Sequence, residues 1–249
     1  VINNLTVSSG AENRSDSLTQ GFSQGTENVN LRGLGLSSTL VLLNGRRQTV
    51  SGALANDGSV FVDTSSIPIN AIERVEVLKE GAASTYGSDA IAGVVNFILR
   101  TNFDGFEVTS GYQRVQNGDQ SDKNIGILWG KQFGDTSVTL VTHYLQRSAL
   151  RGSSRPTLID NAISGLGSTF IASSNASVSS GPYAGDYASG DYIPNAQCEE
   201  YTEAILSSST CRFFYGPRFN LVAAETRLQF FTNLTHNFSN GSKFFTDLG

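Results

Sequence analysis

The sequence predicts a mostly β fold in two parts: a small α+β domain over residues 1–102, and a partial transmembrane antiparallel β-barrel over residues 103–249. Three observations predict it. From Gly105 onward, apolar and polar residues alternate with period two over several stretches, as in strands with one apolar face. The connections between these stretches are tight at one end and long at the other, an asymmetry of membrane barrels. Ahead of them, ERVEVLKEGAASTYGSDAIAGVVNFILR (residues 73–100) joins an alternating segment, a glycine-punctuated turn of small residues and a second β-rich segment.

Residues 1–26 are polar, with Leu18 and Phe22 as the only sizeable anchors, and read as irregular structure. Residues 40–43 form a short apolar run ended by Asn44-Gly45, a dipeptide that tolerates positive φ, so a buried strand turns sharply there. A long loop over 46–63 contains Asn56-Asp57-Gly58. Ile67-Pro68-Ile69 restarts regular structure, and Asn70 is placed to cap a short helical turn leading into Glu73. In the next strand Val75, Val77 and Lys79 share one face, and Glu76 and Leu78 the other. Glu73 and Glu76 are an odd spacing apart and fall on opposite sides, which argues against a carboxylate pair for glycoside hydrolysis. Gly81, Gly87 and Gly93 bracket two short turns before the strand that ends near Arg100.

In residues 106–115, Phe106, Val108 and Tyr112 oppose Glu107, Thr109 and Gln113. Ile125, Ile127, Trp129 and Phe133 then oppose Asn124, Gly126 and Gln132. A third strand carries Val138, Leu140 and Tyr144, and a fourth sets Leu228, Phe230, Leu234 and Phe238 against Arg227, Gln229, Asn233 and Asn237. Four strands and the start of a fifth are expected. A water-soluble sandwich alternates in the same way with its apolar face inward. The connections favour a barrel: Gly134-Asp135 and 239–242 are tight, whereas 116–122 and 148–225 are long. Trp129, Phe133, Tyr112 and Phe238 suit an interfacial aromatic girdle. The 148–225 segment is too long for a mere spacer.

Only 16% of residues are charged, 39% are apolar and 26 are glycine, which excludes a disordered polyelectrolyte and a helical bundle. A net charge of −5 with scattered Lys and Arg excludes a nucleic-acid partner. His143 and His236 sit in strand patterns, GxSxG and phosphate-loop motifs are missing, and Gly33-Leu34-Gly35 lacks the third glycine of a dinucleotide turn, so no catalytic, cofactor or metal site is expected. Cys198 and Cys211 belong to no metal-ligand spacing. They read as a disulfide worth ~3 kcal/mol in the chain-entropy model, formed in an oxidising compartment, with two buried thiols as the alternative.

NVNLRGLG (28–35), TLVLLNGRR (39–47) and SSIPINAIERVEVLKEGAASTYGSDAIAGVVNFILR (65–100) together resemble successive plug motifs of TonB-dependent outer-membrane receptors. CRFFYGPRFNLVAAETRLQFFTNLTHNF (211–238) resembles a loop-to-strand passage of a proteobacterial branch. The resemblance covers about 28–249, with 151–197 unmatched, and departs from the SusC-like glycan importers after the final plug strand. It implies a piece cut at both ends of a 22-stranded receptor in the bacterial outer membrane. Such a receptor imports a scarce small ligand, oligosaccharide or siderophore-like, with proton-gradient energy delivered by TonB, ExbB and ExbD, and does no covalent chemistry. The signal peptide and TonB-contacting segment are expected upstream. It also implies a plug–barrel latch of Arg32, Glu73, Arg74 and Glu76, plug turns at Gly33, Gly45, Gly81, Gly87 and Gly93, a ligand-facing plug loop with Gln48, Asn56, Asp57 and Phe61, and an exterior position for the Cys198–Cys211 pair. The competing classes are a surface adhesin or passive porin-like barrel, which need no plug, and a secreted β-sandwich hydrolase.

Overall fold

The computed structural model describes Ser8 and residues 25–160, 162–171, 191–194, 198–200, 203–207 and 210–249. Apart from Ser8, Gly25 and Thr26, the expected irregular segment 1–26 lies outside these residues, as does most of 172–197. The chain divides into two compact units, Val1–Leu150 with Leu221–Gly249, and Arg151–Asn220.

The first unit holds two sheets. The smaller comprises β1 (Thr39–Leu43), β2 (Arg46–Arg47), β3 (Ile72–Leu78) and β4 (Gly93–Leu99) in the order β2-β1-β4-β3. Asn44 and Gly45, at φ 50 and 76, make the reversal between β1 and β2, and β1 runs parallel to β4. Both faces of β1 are covered, which is why its sequence is continuously apolar rather than alternating. Val41 packs with Val29, Leu31, Val95 and Phe97 on one side. Leu40 and Leu42 meet Ala82, Ala90 and Val94 on the other, under the short helix α1 (Ala83–Tyr86). At Gly93, φ is 131 and an added Cβ would stand 2.5 Å from the Leu78 carbonyl oxygen and 2.8 Å from Leu31 Cδ1, so conformation and space both require glycine.

The larger sheet is a five-stranded antiparallel meander of β5 (Gly105–Arg114), β6 (Ser121–Phe133), β7 (Thr136–Arg147), β8 (Glu225–Asn237) and β9 (Lys243–Leu248). Strands and tight turns fall where the period-two pattern places them, except that Ser121 and Asp122 belong to β6 and shorten the expected 116–122 loop. The faces settle the choice between sandwich and barrel strands. Phe106, Tyr112, Ile125, Ile127, Phe133, Leu140, Leu228 and Phe230 all point to the exposed side. The opposite side, with Thr139, His143, Asn233 and Thr235 buried, carries the smaller domain. A water-soluble sandwich would have these faces exchanged.

In the second unit, strands Tyr192–Pro194, Ile163–Ile171, Thr210–Phe214 and Ala204–Ser207 form a four-stranded sheet in that order. A disulfide ties Cys198, in the short helical turn Cys198–Glu200, to Cys211 on the Thr210–Phe214 strand, their Cα atoms 5.5 Å apart.

Candidate functional site

Where the smaller domain meets the inner face of the larger sheet, a band of apolar residues is flanked by polar ties. Leu128, Val141 and Phe231 stand in one cross-strand row over β6, β7 and β8. They pack against Ala71 and Leu99, with Ile67, Ile72 and Phe103 at the edge. All three lie on a face that, Leu145 and the glycines aside, is otherwise polar, so in the sequence they break the alternation. Their matching register is the signal that marks them as a docking row.

The polar ties use backbone as much as side chains. Asn70 does not cap the Ile69–Ala71 turn, whose N-cap position is Pro68. Its Nδ2 instead donates to the carbonyl oxygens of Ile127 and Thr142, at 3.2 Å each. Gly126 makes room for it: a Cβ there would stand 2.7 Å from Asn70 Nδ2 and 2.6 Å from Thr109 Oγ1. Gly130 is a second notch, where a Cβ would come within 2.2 Å of the Phe103 carbonyl oxygen. The Thr101 carbonyl accepts from Ser137 and Thr139. Arg46 pairs with Asp247 and lies over the Phe245 ring, 4.4 Å from its centroid.

Toward the end of the sheet that carries the long segment, Arg227 Nη1 and Nη2 donate to the carbonyls of Ser65 and Gly25, each at 2.6 Å, and Gln229 Nε2 donates to Ser65 at 2.9 Å. A cleft of about 540 Å³ opens beside these contacts. It is walled by Gln113, Asn124 and His143 on the sheet and by Ile67, Val75 and Phe97 on the smaller domain.

The residues expected as a latch are bonded within the smaller domain. Arg32, at φ 58, donates from Nη2 to the carbonyls of Ile91 (3.1 Å) and Ala92 (3.2 Å). Arg74 bonds Glu73 at 2.9 Å and Glu76 at 3.0 Å. A bulge between Ile72 and Arg74 breaks the alternation, so Glu73 and Glu76 reach one guanidinium rather than parting to opposite sides. Gly33, Gly45, Gly81 and Gly87 adopt φ of 66, 76, 72 and 88. In the 48–61 loop, Asn56 and Asp57 are exposed and Asp57 accepts from Ser59, while Gln48 is half-buried. Phe61 is a correction to the ligand-facing set: only 3% exposed, it packs with Leu36 and Ala55 and holds the loop from beneath.

Fold and interface together define a small α+β domain seated on the polar face of a strand wall, a stopper on a partial barrel. Residues 5–94 match the model of the TonB-dependent Receptor Plug Domain. Solved structures of the ferric enterobactin receptor PfeA from Pseudomonas aeruginosa are similar. One mutant is 15% identical over 89% of this chain and 27% of its own, with TM-score 0.45. Another, in complex with enterobactin, is 14% identical over 97% and 37%, with TM-score 0.43. The FpvAI–pyocin S2 complex matches at 16% identity over 92% and 29%, with TM-score 0.35. The chain thus spans about a third of the length of these structures.

Proposed function

We propose that this chain is the plug and first wall strands of an outer-membrane receptor that imports a small ligand with energy transmitted by TonB. The observation that carries the reading is the inverted wall: apolar side chains exposed outward, polar side chains inward, with a plug domain against the polar side. Outward apolar residues suit lipid, and an inward polar face suits a hydrated lumen. Tyr112, paired with Lys123, and Phe133 lie ten positions apart along β6. At the rise of a strand and the tilt usual in membranes this is ~24 Å, about the height of an outer-membrane apolar band.

In this reading the outer surface meets lipid, TonB with ExbB and ExbD drives the plug, and the ligand enters from the long-segment end. Gln48, Asn56 and Asp57 are the proposed ligand-facing plug residues, on the loop that leads into the Arg227-docked Thr64–Ser66 turn. Arg32, Glu73, Arg74 and Glu76 are proposed to brace the plug and to act at the wall when it moves. The proposed ligand is an oligosaccharide or a siderophore-like iron chelate. The test is accumulation of radiolabelled oligosaccharides and ferric chelates by cells expressing the whole receptor, with TonB present or deleted. Uptake of one class that requires TonB supports the proposal. Equal uptake without TonB points to a passive porin, and adhesion without uptake to an adhesin.

A further inference from the structure

Arg227 is a charged wall side chain that, with Gln229, joins the smaller domain to β8. Asp122, Arg147 and Glu225 stand in one cross-strand row at the end of β6, β7 and β8. Arg147 bonds both carboxylate oxygens of Asp122 at 3.1 Å and faces Glu225 at 3.6 Å. Glu225 also pairs with Arg227, whose two terminal nitrogens end on the Ser65 and Gly25 carbonyls. On the plug side Asp63 shapes the receiving turn. Its Oδ1 accepts from the Ser65 amide at 3.0 Å, the Ser65 hydroxyl at 2.6 Å and the Glu27 amide at 3.0 Å.

We infer that Arg227 is a plug-gripping residue aimed by Glu225, so that the spacing of β7 and β8 at the row Asp122, Arg147 and Glu225 sets the hold on the plug at Gly25 and Ser65. Glu225 is shared between Arg147, which ties it to β7, and Arg227, which grips the plug. Because Glu225 and Arg227 lie on the same strand, parting of β7 and β8 breaks the Arg147–Glu225 pair and leaves Glu225 to Arg227 alone. The freed carboxylate then re-aims the guanidinium, and two plug carbonyls lose a charged donor. The side chains are about one-fifth exposed, so their pairing is only partly screened by solvent. The inference rests on the reading of β5–β9 as a receptor wall.

The experiment is amide hydrogen exchange on the full receptor in lipid nanodiscs, comparing Arg227→Gln, Arg227→Lys, Glu225→Gln and the double Gln variant. Arg227→Gln should speed exchange in 25–31 and 63–67 by about tenfold or more, the scale of a lost charge-assisted hydrogen bond. The β1 and β6 amides should not change. Arg227→Lys should restore part of the protection, Glu225→Gln should give the same local pattern, and the double variant should add nothing beyond Arg227→Gln. Unchanged exchange at 25–31 and 63–67, or equal acceleration in β1, overturns the grip. An environment-sensitive label at Ile127 in the same samples separates the underlying reading: a lipid signal keeps the wall, whereas a water signal overturns wall and grip together.

Discussion

At single positions, the plug interface depends on missing side chains as much as on those present. Gly126 and Gly130 lie on the inward face of β6, where an ordinary strand would carry Cβ atoms, and Asn70 and Phe103 occupy the space. Gly126→Val should therefore expel Asn70 from its two carbonyls, adding overpacking to lost hydrogen bonds at a combined ~2 to 4 kcal/mol. Asn70→Ala removes only the bonds, at ~1 to 2 kcal/mol. Limited proteolysis of the plug in the purified receptor checks the order: Gly126→Val should be cut fastest, Asn70→Ala next and wild type slowest. Equal rates for all three would mean that the notch does not hold the plug. Arg32 bears on the same scale. With its guanidinium on the Ile91 and Ala92 carbonyls, Arg32→Ala should loosen the turn before β4, read as faster exchange of the Ala92 amide.

Among the strands, legibility followed periodicity. The outward faces of β5 to β8 were readable because apolar residues recur every second position, and the β1–β2 reversal because Asn44-Gly45 permits only a few backbone shapes. The docking row was not readable. Leu128, Val141 and Phe231 sit on the polar face, and only cross-strand register, which a sequence does not carry, brings them together. Asn70 was misread for a related reason: its local position suits a cap, but the acceptors it found lie 57 and 72 residues away. Phe61 was placed in the ligand-facing loop by the resemblance, whereas its packing with Leu36 and Ala55 makes it an anchor beneath that loop. The row predicts a contrast. Leu128→Ala should cost ~2 to 5 kcal/mol, whereas Leu140→Ala, on the outward face one residue away from Val141, should cost much less in detergent. Urea midpoints of the detergent-solubilised receptor measure both, and equal losses would show that the inward row is not a packed core.

Across the whole molecule, the question is which medium the apolar face meets. Phe106, Ile125, Ile127, Leu140, Leu228 and Phe230 are exposed on one side of the sheet, and an apolar surface of this kind marks a face that meets a partner or a membrane. Ile127→Lys should therefore lower receptor levels in the outer membrane, since a lysine near the bilayer midplane costs ~2 to 4 kcal/mol. Trp129 offers a direct reading, because it is the only tryptophan in the sequence and lies on that face beside Phe106 in the β5–β6 register. Where the complete receptor contains further tryptophans, they are replaced by phenylalanine so that Trp129 alone reports. In liposomes with bromine placed at different depths on the acyl chains, its fluorescence should be quenched by the chains and spared by aqueous iodide. Iodide quenching comparable with that of a free indole would place the face in water, and the wall would then belong to a soluble assembly instead of a membrane barrel.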